Sequence, residues 1–232
     1  MPEGNFFHYD QAAVDHLARK DKKLAAAMQA IGPVRREVMP DLFQALMHAI
    51  TGQQISIAAQ RTVWVRLCGL LGEVTPQALL AQPQTALQAL GLSARKVDYM
   101  RGIARQVVDG ELDLPGMAAL EDAEVCRRLA ALRGIGVWTA EMLLLFSLQR
   151  PDILSYDDLA IRRGLRMLYR HKEMPRERFE RYRRRFSPYG SLASLYLWAI
   201  AGGALPELDD PAERKKGRSR PAASLKSTVT KD

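Results

Sequence analysis

An all-α fold is predicted for this chain of 232 residues. Three observations predict it. Apolar residues recur every three or four positions in segment after segment, the spacing that puts them on one face of a helix. Period-two alternation, the mark of a half-buried strand, is essentially absent. Glycine and proline fall between the periodic segments at intervals suited to short helices, so about ten helices are expected.

The segments run in order along the chain. Residues 24–31 form the first periodic stretch, closed by Gly32-Pro33. Residues 42–50 form the next, opened after Pro40, and residues 55–71 run on to Gly72. Thr75 is a candidate helix cap, because a threonine oxygen can accept from the free N–H groups of a first turn. Pro83 and Gly91 punctuate the next twenty residues, and Ser93 caps the stretch 97–108. Pro115-Gly116 breaks the chain again, and Asp122 is the candidate cap for 125–132. Residues 137–148 make an apolar helix roughly 18 Å long at 1.5 Å per residue. It must stop near Arg150-Pro151, since proline lacks the N–H and disfavours helix before it. Residues 159–168 and 192–200 are the last two, separated by Pro175 and Pro188 and ended by Gly202-Gly203.

The segment Leu132-Arg133-Gly134-Ile135-Gly136-Val137-Trp138-Thr139-Ala140, with Tyr156-Asp157-Asp158 beyond it, carries the functional information. Gly134 and Gly136 make a short turn before an apolar helix. Free backbone N–H groups at a helix start, with the helix dipole, favour an anion, and glycines let a phosphodiester come close. Residues 152–156 can run back about 16 Å if extended, which returns Asp158 to that turn. Each piece alone also has an ordinary reading: a tight turn, or carboxylates in the first turn of the helix 159–170. The pattern is not a dinucleotide fingerprint, because Thr139 stands where Gly or Ala is required and no strand precedes it.

Composition narrows the classes. Hydrophobic content is 47% and charged content 26%, as in ordinary globular domains. No run of 18 apolar residues marks a membrane span, and the first residues lack the basic and apolar regions of a secretory signal. Cys68 and Cys126 suit reduced thiols in the cytoplasm, and two cysteines are too few for a four-cysteine metal centre. Net charge is +8 and uneven: residues 162–185 hold eleven Lys/Arg against three Glu. Residues 212–232 hold seven against two acids. Such clustering is the footprint of a phosphate-backbone binder, and also the look of a solvated helix face. Residues 206–232 lose apolar periodicity and are expected to form a disordered basic tail.

The motif Leu132-x-Gly134-Ile135-Gly136-x-Trp138-Thr139-Ala140, with Asp158 placed 22 residues past Gly136, resembles the helix-hairpin-helix DNA glycosylases. Within them it is similar to the AlkA-like 3-methyladenine branch. The resemblance runs from about residue 41 to 202 and includes Ile50-Thr51-Gly52-Gln53-Gln54-Ile55-Ser56 and Gly91-Leu92-Ser93-x-x-Lys96-x-x-Tyr99. It implies two helical lobes around a central cleft. Residues 1–35 would be helices joining the C-terminal lobe, 36–115 the first lobe with the DNA wedge loop, and 116–205 the hairpin and catalytic lobe.

The same resemblance implies the roles. Asp158 is the catalytic carboxylate, with Asp157 a helix cap. A carboxylate there stabilises the oxocarbenium charge that builds as an N-glycosidic bond breaks, or orients water. Trp138 stands where bifunctional relatives carry a lysine, so hydrolysis without a Schiff base is expected. Trp138, Met142 and Tyr189 line the base pocket, where an aromatic face attracts a cationic purine. Tyr189 aligns with the stacking aromatic by its place nine residues before Trp198. The target base must be flipped out of the duplex, and Gln54 fills the gap. Gly134, Gly136 and Thr139 hold phosphate. The carbonyls of Ala130, Leu132 and Ile135 are a candidate seat for Na+ or K+, and no other cofactor is expected. The expected partner is double-stranded DNA with alkylated bases, and the expected actor is a cytoplasmic monomer. Two alternatives stand beside this one: a glycosylase with lyase activity through another lysine such as Lys96, and a non-catalytic DNA-binding protein.

Overall fold

The structure, a computed structural model, describes residues 5–213. Among them are twelve α-helices: α1 (Gln11–Lys20), α2 (Lys22–Ile31), α3 (Leu42–Gly52), α4 (Ile57–Leu71), α5 (Pro76–Ala81), α6 (Gln84–Ala89), α7 (Ala94–Val108), α8 (Asp122–Ala130), α9 (Val137–Phe146), α10 (Leu159–Tyr169), α11 (Arg176–Phe186) and α12 (Gly190–Ala201). A 3-10 turn spans Pro115–Ala119. Among the described residues no β-strand forms, and the one β-type pairing is an isolated bridge between Phe6 and Glu37.

Short polar side chains start many of these helices. Asp10, Asp21, Asp41, Ser56, Thr75 and Ser93 each accept from an N–H of the first turn, a cap worth about 1 kcal/mol. The expected caps Thr75 and Ser93 are thus in place. Asp122 is not a cap. Glu121 precedes α8 in extended conformation without a side-chain bond. Asp122 instead turns to Arg150, 3.2 Å away. That arginine also donates to the carbonyls of Ala118 and Leu120 (2.9 and 2.8 Å), so it ties the end of the 3-10 turn to the chain after α9.

Two apolar cores result. Leu46, Ile50, Leu67, Leu79, Val97 and Met100 of α3–α7 pack with Val125, Leu129, Ala140 and Leu144 of α8 and α9. Leu17 and Leu24 of α1 and α2 pack with Ile161, Leu165, Phe179, Phe186 and Leu197 of α10–α12. The hairpin helices α8 and α9 bury their apolar stripe in the same core as α3–α7. Within the second core α10 and α12 lie very close: a Cβ on Gly164 would sit 2.4 Å from the Leu197 carbonyl oxygen. That contact sets the α10–α12 crossing, which in turn sets what surrounds Asp158.

The expected disorder from residue 206 onward is corrected for 206–213. Asp210 is buried and paired with the Arg166 guanidinium (Nε to Oδ1, 3.0 Å), and Leu208 packs against the second core. A carboxylate seated on an inward-facing arginine orders the chain there despite its polar composition. The rest of the expected tail lies outside the described residues. No helix among the described residues is long and apolar enough to cross a membrane.

Candidate active site

Asp158 is the N-cap of α10, in extended conformation, and only 6% exposed. Its Oδ1 accepts from the Ile161 N–H at 2.8 Å and from Trp198 Nε1–H at 3.1 Å. Its Oδ2 accepts from Trp138 Nε1–H at 3.0 Å. The cap therefore belongs to Asp158, not to Asp157, which is exposed. Each carboxylate oxygen has two acceptor positions. Oδ1 is filled by two donors, whereas Oδ2 keeps one position. The clamp holds a buried charge in one orientation, since hydrogen bonds to a charged group contribute about 1.5–3 kcal/mol each.

The chain path explains how the partners meet. α9 follows its N-cap Gly136 and ends at Phe146, after which Leu148 and Arg150 turn back on the Leu143 and Leu144 carbonyls (3.1 and 2.9 Å). The return from 151 to 157, a turn followed by irregular chain, then brings Asp158 beside Trp138, at the start of α9. Trp198 arrives from the second half of α12 and lies parallel to Phe146, with ring centroids 5.4 Å apart.

These groups line a cavity of about 1000 Å³ whose walls include Asp158, Trp138, Met142, Phe146, Trp198, His48 and Trp64, with Arg35, Arg36 and Glu37 at the exposed rim. Trp138 and Met142 are therefore together with the carboxylate. Tyr189 is not. It caps the far end of α12, meets the His16 ring edge-on at 5.2 Å, and borders a separate small cavity with Phe7, Tyr9 and Leu192. The reason is helical geometry. Nine residues along α12 are two and a half turns and about 13 Å, so Tyr189 and Trp198 face opposite ways. The aromatic from α12 that borders the cavity with Asp158 is Trp198. The signal for it was available: a tryptophan in the apolar stretch 192–200, whose ring nitrogen needs an acceptor when half-buried.

A second cavity of about 700 Å³ adjoins the first and is bordered by Gln54, Lys96, Gly134, Thr139, Trp138 and Met142. Gln54 is exposed on the loop between α3 and α4, at φ +58°, a left-handed conformation unusual for a residue with a side chain. Two contacts hold that loop. Gln53 Nε2 donates to the Gly134 carbonyl at 2.7 Å, and Lys96 Nζ donates to the Thr51 carbonyl at 2.9 Å. Burial pushes the Lys96 amine below its usual range. That amine closes the C-terminal end of α3 and lies in the cavity without Asp158. No lysine borders the Asp158 cavity among the described residues.

The two hairpin glycines differ. Gly134 has φ +88°, and a Cβ there would lie 2.2 Å from the Tyr99 ring. Its lack of a side chain is demanded by the protein itself. Gly136 has φ −95° and open space around it, and no side chain caps α9. The first N–H groups of α9 are thus free for an outside anion. In the turn, the Leu132 carbonyl accepts from the Ile135 N–H at 3.0 Å, while the carbonyls of Ala130 and Ile135 accept no hydrogen bond from the described residues.

The arginine-rich segment is less free than its composition suggests. Within α11, Arg176 and Arg183 pair with Glu180, and Arg181 with Glu177. Arg185 is drawn to the buried Asp21 at 2.7 Å. Arg162 and Arg176 lie over the Tyr156 ring at 4.9 and 5.1 Å.

A buried carboxylate clamped by two indoles in an aromatic cavity, one of those indoles on the helix that follows a helix-hairpin-helix turn, defines a class, and comparison with known proteins agrees with it. Residues 47–188 match the HhH-GPD superfamily of base excision DNA repair proteins, and the chain belongs to that family. It is 30% identical over 209 residues to DNA-3-methyladenine glycosylase 1 of Schizosaccharomyces pombe, covering 87% of this chain and 91% of that one. The crystal structure of a DNA-3-methyladenine glycosidase from Bacillus halodurans superposes with a TM-score of 0.78 at 34% identity, over 88% of this chain and 95% of that one. The S. pombe 3-methyladenine DNA glycosylase in complex with abasic DNA superposes at 0.71 with 30% identity, over 81% and 95%.

Proposed function

We propose that this protein is a monofunctional DNA glycosylase that hydrolyses the N-glycosidic bond of alkylated bases, 3-methyladenine and related cationic purines, in double-stranded DNA. One observation carries the reading: the carboxylate of Asp158 is aimed into an aromatic cavity by two indoles, one of them at the position where a lyase needs an amine. The C1′–N bond breaks with its electron pair leaving on the base. The positive charge left on the sugar sits beside Asp158, and stabilisation of developing charge by a preoriented group is often the largest catalytic term. Water adds to C1′, and the proton it loses goes to the free position on Oδ2 or to the departing base.

The remaining roles rest on the same basis. Gly134, Gly136 and Thr139 offer the hairpin to a phosphate, and the strained, exposed Gln54 is the group for the gap left by the flipped nucleotide. The Ala130, Leu132 and Ile135 carbonyls would hold Na+ or K+, whose charge would add to the pull on the phosphate. Such an enzyme acts as a monomer on chromosomal DNA in the cytoplasm.

The test is release of free base from DNA treated with a methylating agent, with Asp158→Asn as control. Wild type is expected to release 3-methyladenine and the variant is not. Absence of any released base from wild type would sink the reading. A covalent protein–DNA adduct trapped by borohydride would overturn the water mechanism in favour of a lyase.

A further inference from the structure

Five residues border both cavities: Met39, His48, Trp138, Met142 and Phe146. Most have nothing polar to offer a base. The methionines and the phenylalanine are apolar, and the single N–H of Trp138 is committed to Asp158 at 3.0 Å. The N–H of Trp198 is committed to the same carboxylate. His48 is the exception. An imidazole carries both a donor and an acceptor when neutral, which matches the mixed donor and acceptor edge of a purine.

His48 is also held in place. It sits on α3, meets the Trp64 ring edge-on (4.9 Å, 85°), and its carbonyl accepts from Gln60 Nε2 at 3.0 Å. The same amide nitrogen lies 3.3 and 3.4 Å from the two ring nitrogens. The ring is thus held between the Trp64 indole and the Gln60 amide, and it borders both cavities. Burial pushes the imidazole below its usual range, which keeps it neutral at physiological pH. The charged and titratable groups around the two cavities are Arg35, Arg36 and Glu37 at one rim, Asp158 on the α10 side, and Arg95, Lys96 and Tyr99 on α7. A neutral ring adds no repulsion against a cationic base, whereas a protonated ring would repel it and lose its acceptor.

We propose that His48 is the specificity-determining residue of the base cavity: its imidazole reads the polar edge of the flipped base and sets the preference between cationic alkylated purines and neutral damaged purines. The inference rests on the glycosylase function proposed for Asp158 and assigns the group that chooses the base. Neutral purines depend on the imidazole hydrogen bond. Cationic purines draw on the aromatic faces and on Asp158, and need chiefly that no second positive charge be present.

The experiment compares single-turnover release of 7-methylguanine, a cation, and hypoxanthine, a neutral base, from otherwise identical duplexes. His48→Phe keeps an aromatic ring and removes both polar atoms; hypoxanthine release should fall at least about tenfold more than 7-methylguanine release, about 1.4 kcal/mol. His48→Lys fixes a charge there, and the order should reverse. Ratios within twofold of wild type in both variants overturn the proposal. If His48→Lys does not fold, the His48→Phe ratio alone decides; if His48→Phe does not fold, His48→Leu, which also removes both polar atoms, takes its place with the same expected fall, and a ratio within twofold of wild type overturns the proposal. A wild type that releases neither base refutes the glycosylase reading itself, whereas an active wild type with insensitive ratios refutes only the role of His48.

Discussion

Replacing Asp158 by asparagine separates chemistry from folding, and the structure predicts both effects. Asparagine is as good an N-cap as aspartate, so the bond to the Ile161 N–H at 2.8 Å can survive. The amide, however, has one acceptor oxygen where the carboxylate has two. If that oxygen stays on Ile161 and Trp198, the new NH₂ points at Trp138 Nε1–H, 3.0 Å from the atom it replaces. If the amide turns over, it confronts two donors instead. Either way at least one half-buried N–H loses its acceptor, at a cost of about 1–3 kcal/mol. Against this, a neutral amide escapes the cost of desolvating a charge. Three donors on one carboxylate make the first effect the larger, and we expect a net loss of about 2 kcal/mol. For a domain of this size that is a fall in Tm of roughly 4–8 °C. Base release should fall about 10³-fold or more, since the charge beside the sugar is gone, while affinity for abasic DNA stays within a few fold. Calorimetry and single-turnover kinetics on the same preparation decide it. A variant more stable than wild type would refute the reasoning, because the carboxylate would then be a burden that its donors do not offset.

Three further outcomes are expected. Trp198→Phe keeps the stack on Phe146 and removes one donor from Oδ1; kcat should fall about 10- to 100-fold with DNA affinity unchanged, and an unchanged kcat would remove Trp198 from the positioning of Asp158. Gly134→Ala and Gly136→Ala should part company: the first forces a left-handed alanine against Tyr99 and should cost at least about 2 kcal/mol in thermal unfolding, whereas the second should leave Tm unchanged yet weaken DNA binding several-fold in fluorescence anisotropy. The Arg166 hydrogen bond to Asp210, helped by the Ala212 N–H, holds that carboxyl below its ordinary value of 3.8 despite burial. A lowered folded-state pKa stabilises above the unfolded value, so this contribution is complete above about pH 5 and is lost as pH falls through 3.8 and below; Asp210→Asn should flatten that part of the acid-unfolding curve, and an unaltered curve would show the pair to be inert.

Much of the fold was legible because helices announce themselves locally. The stretches 42–50, 97–108 and 159–168 appear as α3, α7 and α10 within a few residues, since period and capping act within one turn. The helices that periodicity did not reveal are instructive. α11 carries Phe179, Tyr182 and Phe186 on one buried stripe, hidden among arginines and glutamates. α5 and α6 are six residues each, shorter than the window in which a helical period can be recognised. The cap position of α8 falls on Glu121, and Asp122 pairs instead with Arg150, distant in sequence; no local rule contains that contact.

At the site, the sequence by itself determined the parts whose meaning is local. The turn at Gly134 and Gly136, the apolar helix after it, and a carboxylate a fixed distance beyond all follow from the chain's own spacing, and the structure brings Trp138 to Asp158. Only the tertiary structure decided who completes the clamp. Trp198 and Tyr189 are both aromatics near the end of the chain, and although the Trp198 ring nitrogen signals a need for an acceptor, nothing local says which acceptor it meets. The choice is made by the close approach of α10 to α12 at Gly164, which turns one face of α12 toward Asp158 and sends the residue nine positions earlier to the other side. His48 and Lys96 were settled in the same way, one by packing against Trp64 and the other by closing the end of α3. Spacing along a chain fixes what a helix presents; which presented group meets which partner is fixed by the packing of helices that the chain spacing does not encode.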